Sequence, residues 1–284
     1  MRRHLLTLVG ICAVAAVVAA SAQSDGGPGP AVVQGWNGVV RGSMRYVAIA
    51  TGSGTVVEAV QRRGGRVVSY SVVPGNFGVP QVAYDGTTAG LSSDGRILVL
   101  GDVGSSAQPK KTSSFAVLGL TQLKVRHIVR LKGDFSFDAL SPGARMMYLI
   151  EHVSVQGASY RVRAYDLGAQ RLLPGVLIDK RSWESVMRGY PFTRAVSKNG
   201  RWVYTLYGGG EHPFVHALDT QKAHAVCIDL PRAWNKLDLS GMRLRLKRGA
   251  RIEIRYGAGG LAFAVLDARK FRVLHLTVVR GSLF

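Results

Sequence analysis

One eleven-residue pattern recurs three times without gaps, and it limits this chain more than any other feature. The copies are Gly90-Leu-Ser-Ser-Asp-Gly-Arg-Ile-Leu-Val-Leu100, Ala139-Leu-Ser-Pro-Gly-Ala-Arg-Met-Met-Tyr-Leu149 and Ala195-Val-Ser-Lys-Asn-Gly-Arg-Trp-Val-Tyr-Thr205. Each runs from a short apolar stretch through a serine (Ser92, Ser141, Ser197) and a tight turn to an arginine that opens a strand. Asp94-Gly95 and Asn199-Gly200 are strong hairpin dipeptides, because the tightest hairpin turns need positive φ. Leu246–Ile254 is a degenerate fourth copy. A second signature follows each unit: Phe115–Gly119, Val162–Asp166, Val215–Asp219 and Phe263–Asp267, whose last residues are 47, 53 and 48 apart.

After each of these comes one more apolar strand, and an earlier copy fits Tyr46–Thr51, Thr55–Val60 and Arg66–Val73. Each period therefore holds about four short strands, too few to bury their own faces. Stacking such units about an axis buries them and leaves only short edges. Glycine, at 35 of 284 residues, fits many turns rather than a helix bundle. The expected fold is an all-β propeller of about five four-stranded blades, six being the next count. The alternative is a pair of β-sandwiches with accidental similarity. The order Ser-Pro/Asp-Gly-x-Arg, Tyr-x-Leu, Tyr/Leu-Asp, then an apolar strand resembles bacterial secreted WD40-like propellers of the YVTN type, over about residues 80–280. The chain departs from them in lacking a literal Tyr-Val-Thr-Asn, Gly-His or Trp-Asp. The resemblance implies a scaffold, a binder or an occasional enzyme.

The N-terminus reads as an address. Arg2 and Arg3 precede an uncharged apolar run, Leu5–Ala20, which ends in the small-residue site Ala20-Ser21-Ala22. The run is shorter than the ~20 residues that span a bilayer. The expectation is a signal peptide at 1–22 cleaved after Ala22, a flexible linker at 23–42 containing Asp25-Gly-Gly-Pro-Gly-Pro30, and a propeller at 43–284 in a secreted or extracytoplasmic protein. No later segment has 18 consecutive apolar residues. Cleavage would remove Cys12 and leave Cys227 as the one thiol, read here as a buried strand residue.

The repeated Asp166, Asp219 and Asp267 are expected to accept backbone N–H bonds in the next turn, and the repeated serines likewise to serve turns. Function is sought where the repeat breaks. The connections 74–86, 132–138, 179–194 and 229–242 are rich in large groups, among them Phe77, Tyr84, Phe135, Phe137, Trp183, Tyr190, Phe192 and Trp234. These either fill gaps between blades or form a recognition rim at one mouth of the central channel. Asp138 and Arg194 each stand three residues before their unit's serine, so they should converge at that mouth, as an ion pair or as holders of a polar ligand. The candidate ligand set is Asp138, Arg194, Trp183, Phe137, Tyr190, Arg188 and Tyr84, with Glu184 nearby.

Other chemistry finds little footing. His212, His216, His224 and Cys227 suggest zinc, but strand residues four apart lie ~13 Å from each other. No nucleophile elbow, metalloprotease helix or phosphate loop is present in the sequence, and neither catalytic residues, metal nor cofactor are assigned. The formal charge is +20, from 37 Lys and Arg against 17 Asp and Glu. The segment Arg243–Arg255 alternates basic with apolar residues, as a strand with one wet positive face would. Such charge fits anionic cell-envelope polymers; export and the lack of aromatic interleaving speak against nucleic acid. The expected protein is a monomeric, non-catalytic binder of a protein, peptide or glycan. The alternative is a propeller enzyme, hydrolase or lactonase-like, with its site at the same mouth.

Overall fold

The computed structural model describes residues 31–104, 109–154, 158–181, 185–257 and 259–277. The signal peptide reading, residues 23–30 of the expected linker, Trp183 and Glu184 lie outside them. Strand β1 (Val32–Val33) comes first and pairs with a later strand. The first sheet follows as β2 (Gly35–Arg41), β3 (Met44–Thr51), β4 (Gly54–Gln61) and β5 (Val67–Val73), paired in that order. The second holds β6 (Phe77–Pro80), β7 (Ile97–Asp102), β8 (Thr112–Gly119) and β9 (Lys124–Lys132), with β1 added beside β6. The third is β10 (Phe135–Leu140), β11 (Met146–Ser154), β12 (Ser159–Asp166) and β13 (Arg171–Leu172), with β14 (Met187–Arg188) on the far end of β12. The fourth is β15 (Tyr190–Val196), β16 (Trp202–Gly208), β17 (Phe214–Asp219) and β18 (His224–Asp229). After a 3-10 turn at Arg232–Lys236, the fifth is β19 (Met242–Lys247), β20 (Arg251–Tyr256), β21 (Ala262–Asp267) and β22 (Arg272–Leu276).

The expected five blades are present, each built from antiparallel strands. The folded region starts earlier than residue 43, however. β1 is fastened to β6 through Val32–Pro80 and Val33–Val79, and β2 is the innermost strand of the first blade. The apolar pairs Val32-Val33 and Val39-Val40 are too short and too interrupted by Gly35 and Gly38 to show a strand's alternation.

The repeated residues hold the turns. Ser92 Oγ accepts from the N–H groups of Arg96 and Ile97, Ser141 Oγ from Met146, and Ser197 Oγ from Trp202. Asp166 Oδ1 accepts from Gly168 and Ala169, Asp219 Oδ1 from Gln221 and Lys222, and Asp267 Oδ1 from Arg269 and Lys270. Each of these turns then closes through a left-handed residue, Gln170, Ala223 or Phe271, as does the matching turn at Leu123. A carboxylate that locks two N–H groups helps a non-glycine residue sit at φ near 50°.

Neighbouring sheets bury their faces on one another. Ala48, Val57 and Val73 of the first meet Leu98, Leu100 and Leu118 of the second. Val99, Phe115 and Val117 meet Phe135, Met147 and Leu149 of the third. Tyr148 and Ala164 meet Val203 and Leu218 of the fourth. Leu206, Val215 and Ile228 meet Leu244, Ile254 and Phe263 of the fifth. Among the described residues, none of these clusters joins the first sheet to the fifth.

Candidate functional site

The inner strand of the second blade is interrupted. After Pro80 the chain turns out as a small hairpin, with Gln81 bridged to Thr88 and Val82 N–H bonded to Thr87 O, and returns at Leu91, which bridges Leu98. Asp85 makes the bend, accepting from the N–H and hydroxyl of Thr87 at 3.0 and 2.6 Å. The tip then crosses to the fourth blade, where Tyr84 and Asp85 N–H groups donate to Pro191 and Phe192 carbonyls at 2.9 and 3.0 Å. Thr88 reaches the first blade through Gly38 O. The channel is therefore bridged by residues 81–89.

Beneath this bridge lies a cavity of about 380 Å³, lined by Val39, Ala89, Leu91, Ala139, Val196 and Lys198 among others. Asp138 and Arg194 are part of its wall, and both are buried. The guanidinium donates to Asp138 Oδ1, to Asp138 O at 2.6 Å and to Thr205 Oγ1 at 3.0 Å. The two converge as expected, and they do so as an ion pair that ties the third blade to the fourth. Asp138 sits where the β10–β11 register shifts between Phe137 and Ala139, and that bulge aims its carboxylate across the gap. The shared spacing before Ser141 and Ser197 was the signal that found the pair.

The aromatic connections divide. Phe77, Phe135, Phe137 and Trp234 are buried in the clusters between blades, the gap-filling alternative of the two, which takes Phe137 off the open rim. They lie on or beside inner strands, and each blade interface needs bulk where the strands diverge. Tyr84 remains 38% exposed, and its ring packs on Tyr190 at 6.3 Å and Phe192 at 6.2 Å.

Arg188 belongs to a separate cleft at the same rim, about 570 Å³ in volume. The connection from β13 to β15 builds it by strapping two blade edges. Leu177 bridges Val162 of the third blade, and Asp179 bridges Ala225 of the fourth. Asp179 Oδ2 accepts from Cys227 N–H at 2.8 Å, and Arg181 grips both Asp179 and Cys227 O. Burial pulls the Asp179 carboxyl upward, but hydrogen bonds from the Arg181 side chain and from the Cys227 and Arg181 N–H groups outweigh it and bring it to about 2. Opposite stand Glu211, His212, Phe214 and Asp229, with His212 Nε2 at 3.2 Å from Asp229 Oδ1. Glu211 also pairs with Arg232. No local pattern in the sequence marks this cleft, because its two walls come from separate stretches, 178–188 and 211–229, that no repeat joins.

Cys227 lines the cleft as well, yet burial, reinforced by the Asp179 and Asp229 charges, pushes its thiol up to about 12. The thiol is therefore neutral near pH 7 and a poor nucleophile. Alkylation by iodoacetamide at pH 7.5 should be at least tenfold slower in the folded chain than in urea, measured by mass spectrometry. Equal rates would show an accessible thiolate. Among the described residues no three metal-ligating side chains gather.

Sequential antiparallel sheets of four or five strands, stacked face to face around a bridged channel, define a β-propeller. No family model matches the chain, and no curated protein matches it in sequence. Among solved structures, it is similar to the WD40 domain of Toxoplasma gondii coronin, with 11% identity over 90% of this chain and 63% of that one and a TM-score of 0.45. The β-propeller domain of Myceliophteria thermophila Cps50 (Swd1) matches at 10% identity over 81% and 64%, with a TM-score of 0.46. The propeller of Dos1 matches at 10% over 84% and 57%, with a TM-score of 0.47. The chain spans less than two thirds of the length of each.

Proposed function

We propose that this chain is an exported, non-catalytic β-propeller that binds a protein, peptide or glycan at the rim where Tyr84, Tyr190 and Arg188 stand. The observation that carries the reading is the cleft of about 570 Å³ between the third and fourth blades, within the ~300–1,000 Å³ typical of ligand sites. Its walls supply Arg188 and Arg181 against Glu211 and Asp229, with Met187 and Phe214 as apolar contacts. The Asp229 and Glu211 side chains are both 70% exposed, so they can meet a ligand without first leaving a buried partner. A mixed set of this kind suits an extended polar ligand that offers donors and acceptors in alternation. The Tyr84 ring beside the rim adds a face on which a sugar or side chain can stack. Export rests on the basic start, apolar run and small-residue site at residues 1–22.

The test is a screen of glycan and peptide arrays with the wild-type chain and with Arg188→Ala/His212→Ala. A probe retained by the wild type should be held at least tenfold more weakly by the variant. Equal retention, or no retained probe, would remove the cleft from the proposal.

A further inference from the structure

The first sheet carries a surface of a different kind, on the face turned away from the second blade. Among the described residues, seven of the thirteen exposed large hydrophobics lie on this one sheet: Trp36, Val40, Ile49, Val67, Val68, Tyr70 and Val72. Register makes a patch of them. Ile49 lies opposite Val56 and Val56 opposite Val72, while Tyr70 lies opposite Glu58 and Glu58 opposite Val47. On β5, Val68, Tyr70 and Val72 alternate away from the buried Val73, and Tyr70 is 70% exposed. These side chains expose on the order of 600 Å² together, at the upper edge of what one patch on a monomer shows.

The patch runs directly into a basic hairpin tip, Arg62-Arg63-Gly64-Gly65-Arg66, where Gly64 and Gly65 take the positive φ the turn requires. The matching turns of the third, fourth and fifth blades are anchored by Asp166, Asp219 and Asp267. The first blade has Gln61 at that strand end, and Gln61 Oε1 accepts from Arg66. Arg62 donates to Gly42 O, Arg45 donates to Trp36 O, and the Arg45 guanidinium lies 4.8 Å from the Trp36 ring centre. The arginines of this corner thus lean on neutral groups and one indole, beside a single carboxylate, Glu58.

From this juxtaposition we propose that the outward face of the first sheet docks on a lipid bilayer bearing anionic headgroups. Val68, Val72 and Ile49 enter the headgroup–acyl boundary, Trp36 and Tyr70 sit at the interface, and Arg62, Arg63 and Arg66 meet lipid phosphates. The charge selects this occupant. A second copy would bring three more such arginines and another strongly positive chain, whereas a bilayer supplies both the counter-charge and the apolar medium. The proposal is independent of the cleft.

Sedimentation with vesicles tests it, using residues 23–284, which hold every strand and every buried core residue of the described structure. Binding is expected to vesicles of equal parts phosphatidylcholine and phosphatidylglycerol, and not to phosphatidylcholine alone. Tyr70→Ser/Val72→Ser and Arg62→Gln/Arg63→Gln/Arg66→Gln should each weaken it roughly tenfold or more. Arg248→Gln/Arg251→Gln, exposed positions on the fifth blade, should bind as the wild type does. The proposal fails if the wild type does not sediment or if either first-sheet variant binds unchanged. It fails too if the fifth-blade variant loses as much, which would reduce the effect to bulk charge. A dimer in sedimentation velocity that Tyr70→Ser/Val72→Ser abolishes, with vesicle binding unaltered, would assign the face to a second copy instead.

Discussion

Replacing Asp138 by alanine is expected to lower the unfolding free energy by about 3–5 kcal/mol, the range for a buried ion pair that loses one partner. The Arg194 guanidinium would keep its bonds to Thr205 Oγ1 and to the backbone carbonyl of residue 138 but lose the carboxylate, with its side chain still only 4% exposed. No reorientation of so enclosed a group restores its hydration. The pair itself need not be strongly stabilising, because both charges were desolvated to make it. The companion variant Asp138→Leu/Arg194→Met separates the two ideas. It removes both charges and should recover most of the loss, leaving a packing cost on the order of 1–2 kcal/mol. Urea unfolding followed by tryptophan fluorescence would measure both. If the single and double variants were equally destabilised, the damage would lie in side-chain volume and not in an abandoned charge.

The same pair shows how far the sequence could be read. The blades were legible because a turn is a local problem. Ser92, Ser141 and Ser197, and Asp166, Asp219 and Asp267, bond to N–H groups within five residues of themselves, and they recur because each blade must solve that problem again. Asp138 and Arg194 could be paired by their common phase, but phase says nothing about depth. Depth comes from the bridge of residues 81–89 and from Phe137 and Tyr207, which line one small pocket together with the pair. The bridge itself was invisible. Its contacts, the Tyr84 N–H to Pro191 O and the Thr88 hydroxyl to Gly38 O, join distant segments through backbone carbonyls, which carry no side-chain signature. The outer edge of the third blade was misjudged for a related reason. The apolar strand expected after Val162–Asp166 pairs only at Arg171–Leu172 and again at Leu177, because Pro174-Gly175 breaks it.

Acid should unfold the protein in two stages, and His216 sets the first. It is buried on the fourth blade beside Tyr207, with ring centres 6.2 Å apart. Burial, aided by the Arg194 charge and opposed by Asp138 and Asp179, holds its imidazole near 4 against about 6.5 in an unfolded chain. Between those values the unfolded chain binds a proton that the folded chain refuses. Stability is therefore complete above about pH 6.5, declines as pH falls toward 4, and levels for this group below that. The gap corresponds to about 3 kcal/mol. His152, lowered by its burial and by Lys110 against the pull of Asp134, acts in the same direction. The second stage belongs to the carboxylates. Asp179 and Asp219 sit below the ordinary range because hydrogen bonds from arginine side chains and backbone N–H groups outweigh the upward pull of burial. Their contribution is present above about pH 4 and is lost as pH drops through their folded values. Urea midpoints at intervals from pH 7.5 to 2.5 should show both declines. His216→Leu should flatten the first and leave the second in place. A wild-type midpoint that stays level from pH 7 to 4.5, or a first decline that survives His216→Leu undiminished, would show that this imidazole is not held neutral inside the folded fourth blade.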